Sequence, residues 1–109
     1  MQRLGRFLLA TALAIAPLAM AAPPEYTLII KNHRFEPSEV MVAAGQKIKL
    51  VVDNQDATPE EFESHSLNRE KVIPGRSKAT IWIGPLKPGT YDFVGEYHED
   101  TARGRIIAK

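Results

Sequence analysis

Apolar and polar residues alternate in short runs along most of the chain. In residues 47–54, Ile48, Leu50 and Val52 fall on one side of an extended strand and their mostly polar neighbours on the other. Turn sequences rich in Gly and Pro, such as residues 84–89, separate runs of this kind. Beyond residue 21 we find no helical spacing of apolar positions. The pattern predicts an all-β fold, a Greek-key β-sandwich of about seven strands.

The predicted strands are placed by alternation and by the turns between them. They cover residues 26–31, 39–42, 47–54, 61–72 (as one or two short strands), 78–83, 90–97 and 105–108. Alternation turns Ala79, Ile81 and Ile83 inward. On the next strand it turns Tyr91, Phe93 and Gly95 inward. Trp82 falls on an outward face, where it could belong to a partner surface.

The first 21 residues have the pattern of an export signal. Arg3 and Arg6 precede an apolar run over residues 7–18, and residues 19–21 read Ala-Met-Ala, as at signal peptidase sites. The run is shorter than the roughly 20 residues that span a bilayer. We therefore predict a signal peptide over residues 1–21, cleaved near Ala21 and Ala22, with a retained membrane anchor as the alternative. Residues 22–109 would form one domain with no direct membrane insertion.

Cleavage changes the charge balance of the protein. It removes two of the 14 Lys and Arg residues, which leaves 12 against 13 acidic residues and changes the net charge from +1 to −1. This balance gives no clustered basic face, and we predict no nucleic-acid partner. The chain contains no cysteine, so its stability depends on core packing and on any bound metal. Nor does it contain a nucleophile–base pair or a phosphate-binding loop, which argues against hydrolytic catalysis.

Three segments together resemble the cupredoxin family and cover nearly all of residues 22–109. Residues 35–45 (FEPSEVMVAAG) are similar to the family pattern F-x-P-x-x-(I/V)-x-V-x-x-G. Residues 84–93 (GPLKPGTYDF) are similar to its L-x-P-G-x-Y-x-F hairpin. Residues 94–98 (VGEYH) and 104–106 (GRI) lie where blue-copper proteins have a cysteine, a histidine, a methionine-bearing loop and the last strand.

The resemblance places His98 at the C-terminal histidine ligand of the family and Gly95 at the cysteine ligand. Residues 99–103, where the axial methionine would lie, contain no methionine. A carboxylate replaces the remaining histidine, and Glu60 and Glu61 are both candidates. Because a type 1 centre depends on its thiolate and thioether ligands, we do not expect blue-copper electron transfer.

A narrower resemblance is to the small periplasmic cupredoxin-like proteins of bacterial iron-uptake systems and to the EfeO-type cupredoxin domain. It rests on Glu61-Phe62-Glu63 and, further on, Arg69-Glu70-Lys71, although EfeO-type domains keep the cysteine that is Gly95 here. It implies a periplasmic location, a copper or iron ion, and an inner-membrane iron permease complex as partner. Whether the protein forms a homodimer stays open.

Imidazole and carboxylate groups make up the predicted metal site. The resemblance brings His33 to the loop end of the sandwich near His98, where all three histidines could gather with several glutamates. The candidate ligands are His98, Glu61, His33, Glu96, Glu63, His65 and Glu60. Such ligands suit Cu(II), Fe(II), Fe(III), Zn(II) or Mn(II) rather than Cu(I). Water, a metal or a neighbouring side chain could fill the gap at Gly95, and we expect Glu70 to be a solvated charge.

These residues predict a periplasmic metal-binding protein that assists iron or metal uptake, by delivery or by oxidation of Fe(II). That oxidation is the one enzymatic activity we consider. Two other functions stay open. The first is a metal-free degenerate cupredoxin that serves as a structural or adaptor subunit, and the second is an atypical electron carrier.

Overall fold

The computed structural model describes Gly5 and residues 21–109. Apart from Gly5 and Ala21, the predicted signal peptide lies outside the described residues and stays a prediction. Nine strands and one short 3-10 helix form the domain: β1 (Glu25–Lys31), β2 (Arg34–Glu36), β3 (Glu39–Val42), β4 (Ile48–Asn54), β5 (Glu60–Ser64), β6 (Arg69–Ile73), β7 (Ser77–Ile83), β8 (Gly89–Gly95), η1 (Glu96–His98) and β9 (Arg103–Ala108). Within residues 21–109, no helix has the length and apolar character needed to cross a bilayer.

The strands form two sheets that pack as a cupredoxin-like β-sandwich. The first sheet has the order β2-β1-β4-β7 and the second has the order β3-β9-β8-β5-β6. Two strand pairs, β1 with β4 and β3 with β9, are parallel. In each of these pairs the chain leaves one strand, crosses over and returns in the same direction. The all-β prediction is confirmed, with nine strands instead of about seven.

The extra strands come from two short segments. Asn32 and His33 both have positive φ angles, 53° and 54°, and form a tight turn that folds β2 back onto β1. The predicted segment 61–72 divides into β5 and β6, which pair antiparallel. The predicted strand over residues 90–97 was too long at its end. The ladder stops at Gly95, and Glu96–His98 turn into η1.

The core between the sheets contains the side chains that alternation turned inward. Ile48, Leu50 and Val52 of β4 are buried, as is Phe93 of β8. Phe93 packs against two further rings, Phe35 of β2 at 4.9 Å and Phe62 of β5 at 5.0 Å between centroids. These rings join the two sheets, since Phe35 lies in the first and Phe62 and Phe93 in the second. Phe62 also fixes which way the other side chains of β5 point.

Candidate metal centre

Strand β5 divides the candidate ligands into two groups. Because side chains alternate along a strand, Glu60 points to the core like Phe62, whereas Glu61 and Glu63 point to the outer face of the second sheet. The inner group consists of Glu60, His98 and His33. The outer face carries Glu61, Glu63, Glu96 and His65. The three histidines therefore do not gather at one place, and the single mixed site expected from the sequence is absent from the described residues.

The inner group is built around the buried carboxylate of Glu60, which is 1% exposed. Its Oε1 accepts the backbone N–H groups of Glu61 and Tyr97, both at 3.0 Å. Its Oε2 lies 2.5 Å from Nδ1 of His98, and Nδ1 donates this hydrogen bond when the carboxyl group is ionised. Both carboxylate oxygens of Glu60 thus have protein partners. Across the described residues, no buried side-chain nitrogen or oxygen lacks one.

The ring of His33 completes the inner group by stacking on His98. The two ring centroids are 3.6 Å apart, with 13° between the planes. Nε2 of His33 also lies 3.5 Å from the hydroxyl oxygen of Thr58. The hydroxyl of Thr101 donates to the carbonyl of His33 at 2.6 Å. The resemblance predicted that His33 and His98 lie close together, and the structure places them in contact.

Asp56 holds the strained turn that carries His33. Its carboxylate accepts the backbone N–H groups of Asn32 at 2.8 Å and His33 at 3.0 Å. Partial desolvation raises the pKa of Asp56, but these two hydrogen bonds and the charges of His33 and His98 outweigh it and lower the pKa below its ordinary value of 3.8. Left-handed backbone at two consecutive non-glycine residues is energetically costly, so these contacts fix the position of the His33 ring.

Gly95 lies where the cupredoxin resemblance places a cysteine ligand, and we call the space beside it the copper position. A Cβ atom at Gly95 would lie 2.6 Å from Cβ of Ala102 and 2.7 Å from Cδ of Glu60. A side chain therefore cannot be added without moving its neighbours. The carboxylate of Glu60 is thus a neighbouring side chain that fills this gap.

On the outer face, three carboxylates from three segments converge. One ligand oxygen each of Glu61 on β5, Glu70 on β6 and Glu96 in η1 lies within 4.8 Å of the other two. We call these three residues the outer cluster. Glu63 lies beside it, since the register pairs Glu63 with Glu70. His65 is 3.4 Å from Glu63 but almost fully exposed.

Glu70 was not predicted to be a member of this site. It was expected to be a solvated charge, and it is exposed, but its oxygen approaches those of Glu61 and Glu96. The register of β5 with β6 brings it there, and that register depends on the turn over residues 65–68. The similarity of Arg69-Glu70-Lys71 to an acidic segment of the iron-uptake branch was the one signal that pointed to it.

Repulsion among the outer carboxylates changes their proton affinity. A hydrogen bond with Glu70, desolvation and the charge of Glu96 raise the pKa of Glu61 from 4.5 to about 7. The pKa of Glu63 is also raised, chiefly by a hydrogen bond with Glu96, although His65 opposes the shift. Without a cation, Glu61 is therefore partly protonated near neutral pH. A bound cation would replace that proton.

The family model that describes the cupredoxin-like domain matches residues 5–108. This chain belongs to the cupredoxin-like domain family. An uncharacterised protein of Rickettsia prowazekii is 47% identical over 83 residues, which cover 76% of this chain. The chain spans 66% of that relative's length. Neither comparison tests the narrower resemblance to iron-uptake proteins or the periplasmic location, which stay predictions.

Solved cupredoxin structures share the fold. Auracyanin A, a blue copper protein of Chloroflexus aurantiacus, has a TM-score of 0.69 at 14% identity, covering 81% of this chain and 100% of its own. The metal-binding domain of a Cu(I)-exporting ATPase of Streptococcus pneumoniae has a TM-score of 0.66 at 10% identity, covering 78% and 84%. Amicyanin of Paracoccus versutus has a TM-score of 0.62 at 17% identity, covering 84% and 86%. At such identities the likeness shows the fold alone.

The residues at the copper position do not fit a type 1 copper ion. The chain has no cysteine to supply the thiolate that defines such a centre. The carboxylate of Glu60 takes up the space beside Gly95, and its oxygens bind two backbone amides and His98. This member of the family therefore has the cupredoxin fold without a type 1 site. The ligand roles assigned from the sequence stay predictions.

Proposed function

We propose that this cupredoxin-like protein is an exported metal-binding protein that assists metal uptake, with its cation held by the outer cluster. The observation that carries the proposal is the approach of Glu61, Glu70 and Glu96 to within 4.8 Å of one another. Carboxylate oxygens favour hard cations and disfavour Cu(I). Fe(III) is the ion we propose first, with Cu(II) as the second choice.

The position of the outer cluster suits delivery. Glu70 and Glu96 are exposed, and Glu61, although only 9% exposed, points to the outer face of the sheet rather than into the core. An ion bound there is reached from solvent and can pass to another set of oxygen ligands. We propose an inner-membrane iron permease complex in the periplasm as the acceptor. Oxidation of Fe(II) before transfer stays a prediction, and it requires an external electron acceptor.

Metal titration of the purified protein tests the site. We expect Fe(III), supplied as a citrate complex, to bind in isothermal titration calorimetry, and Glu61→Gln to weaken binding at least about tenfold, since it removes a charged ligand. Glu99→Gln, an exposed neighbour outside the cluster, is the matched control and should bind as the wild type does. If Fe(III), Cu(II) and Zn(II) all fail to bind above background, the proposal is wrong.

A second variant separates the outer cluster from the histidines. If His98→Ala abolishes binding while Glu61→Gln leaves it unchanged, the ion is held by the inner group instead. The reverse result supports the outer cluster. His33, which stacks on His98, and His65, which lies beside Glu63, can be tested in the same way.

A metal-free structural or adaptor role is the second candidate function. It is favoured by the Glu60–His98 pair, because a fold that fills its own copper position can be stable without an ion. A ligand that binds only the folded state raises the melting temperature. A melting temperature that does not change with Fe(III), Cu(II) or Zn(II) would favour the adaptor role over the uptake role.

A further inference from the structure

The carboxyl group of Glu60 is buried, and its contacts reach beyond His98. Its Oε1 accepts hydrogen bonds from two backbone amides, those of Glu61 and Tyr97, that are far apart in sequence. The first amide lies at the start of β5 and the second lies in η1, beyond the end of β8. A single oxygen atom therefore joins the two chain segments that border the copper position.

Both of these amides lie at the outer cluster, because Glu61 is a member of it and Tyr97 follows the member Glu96. The amide of Glu61 is on the residue whose side chain enters the cluster. The amide of Tyr97 is in the peptide bond that follows Glu96. The β5–β8 ladder pairs Phe62 with Gly95, so Glu61 and Glu96 are the next residues beyond the last paired position on each strand. The ladder hydrogen bonds end before Glu61 and Glu96, and at this point the two hydrogen bonds to Glu60 join the segments that carry them.

The surroundings of Glu60 leave its carboxylate little freedom. Ala102 is fully buried and would touch any Cβ atom placed at Gly95. The amide of Gly95 donates to the carbonyl of Ala102 at 2.8 Å, which closes the loop over residues 96–101. On its other side, Oε2 of Glu60 is held by His98, whose ring rests on His33. The carboxylate is enclosed, and each oxygen is already bonded.

We propose that Glu60 closes the copper position of this cupredoxin and acts as a positioning residue for the outer cluster. The positioning part rests on the proposed function. Glu60, held by His98, fixes the spacing between Glu61 and Glu96 from beneath the sheet, and Glu70 meets them from β6. Hydrogen bonds from backbone amides to an ionised carboxylate are stronger than neutral ones, so this link resists deformation.

Three substitutions distinguish positioning from metal ligation. In Glu60→Gln the side-chain carbonyl oxygen can still accept both amides, and the amide nitrogen faces His98, which can accept through its other tautomer. Glu60→Ala removes both links. Glu61→Gln removes a ligand and leaves the links intact. Groups that orient ligands typically cost about 10–100-fold in metal affinity when they are lost.

The probe is Tb(III), a hard trivalent cation whose luminescence reports binding to the full protein. We expect Glu60→Ala to weaken Tb(III) binding about 10–100-fold and Glu60→Gln to stay close to the wild type. Wild-type affinity in Glu60→Ala overturns the positioning role. If Glu60 were itself a ligand, Glu60→Gln would lose affinity as Glu61→Gln does, and that result also overturns the proposal. Should Glu60→Ala fail to fold, Glu60→Gln still decides between the two roles.

A metal-free measurement keeps this proposal separate from the proposed function. In the NMR spectrum of the wild type, the amide protons of Glu61 and Tyr97 should be shifted strongly downfield, and nuclear Overhauser effects should connect Glu61 with Glu96. Glu60→Gln should preserve both features, and Glu60→Ala should lose both. If no cation binds the wild type, the proposed function fails. The amide shifts and nuclear Overhauser effects still test the link between β5 and η1 in that case.

Discussion

Two adjacent glutamates on β5 have opposite surroundings. Glu60 is enclosed in the core, where two backbone amides and an imidazole bond to its two oxygens. Glu61 faces outward among carboxylates of the same sign, and its pKa is raised to about 7. The two residues differ by one position along a strand, and that one position changes the face of the sheet on which each side chain lies.

The surroundings of a carboxylate distinguish a structural role from a binding role. A buried carboxylate whose oxygens are all bonded to the protein holds the fold together. A carboxylate crowded by others is destabilised until a proton or a cation neutralises it. Glu60 belongs to the first kind and Glu61 to the second. In this protein a structural side chain fills the copper position, and the outer face of β5 is the candidate binding surface.

The largest effect should follow from breaking the inner group. We expect Glu60→Ala to lower the free energy of unfolding by about 3–5 kcal/mol, because it leaves His98 and two backbone amides without their partner. Urea denaturation measures this loss. Glu99→Ala, an exposed residue just beyond η1, is the matched control. A loss as small as that of the control would mean that the Glu60–His98 pair does not stabilise the fold.

Filling the space beside Gly95 should have the next largest effect. Gly95→Ala brings a methyl group into contact with Ala102 and Glu60, and we expect it to destabilise by about 1–3 kcal/mol, as overpacking does. The φ of Gly95 is −89°, which any residue can adopt, so the cost is steric. Thr90→Ala, on an exposed position of the same strand, is the control for urea denaturation. A neutral Gly95→Ala would show that the copper position is open.

The outer face should respond to pH. Because the pKa of Glu61 is about 7 in the folded protein and near 4.5 when unperturbed, the folded state binds this proton more tightly. The contribution of Glu61 to the free energy of unfolding is therefore greatest below about pH 4.5 and is lost as the pH rises through 7. We expect Glu61→Gln to gain stability relative to the wild type between pH 5 and pH 8. Urea midpoints in the presence of a chelator measure the difference.

The control for this pH experiment is Glu99→Gln, which should follow the wild type at both pH values. If the stability difference between Glu61→Gln and the wild type does not change with pH, the carboxylates of the outer cluster do not interact. The contrast between Glu60 and Glu61 would then be one of burial alone.

The smallest effect should come from an ion pair on the surface. Nε of Arg105 donates to Oε1 of Glu39 at 3.0 Å, and both side chains are about half exposed. We expect Glu39→Gln to change stability by about 0–1 kcal/mol, as is usual for exposed pairs. Urea denaturation at low and high salt checks this. A loss as large as that of Glu60→Ala would show that burial is not what distinguishes the Glu60–His98 pair.

Most of the fold could be predicted from the sequence, because alternation and turns are local properties. The strands with buried alternate residues, such as β4, β7 and β8, were found on that basis. Strand β2 was missed because three residues are too few to show alternation, and its turn uses Asn32 and His33 instead of glycine. The end of β8 was misplaced because Gly95 ends the ladder through contacts with Ala102, the residue before β9, and with Glu60.

The candidate site could be predicted only in part. The residue types were evident, but Glu60 and Glu61 were both left as candidates for one ligand position. The sequence did not show that Glu60 would fill the gap at Gly95, since this depends on the path of the loop after β8. Nor did it place Glu70, whose position follows from the register between β5 and β6.

Strand β6 is the last strand of its sheet, with β5 as its single ladder partner. Glu70 lies on it, so a cation shared by the outer cluster would attach this outermost strand to both β5 and η1. Exposed edge strands are the places where sheets open and where other chains attach. Loading with metal should therefore slow amide hydrogen exchange in Arg69–Ile73. The solubility of the protein and its occupancy by metal would then be coupled through one strand.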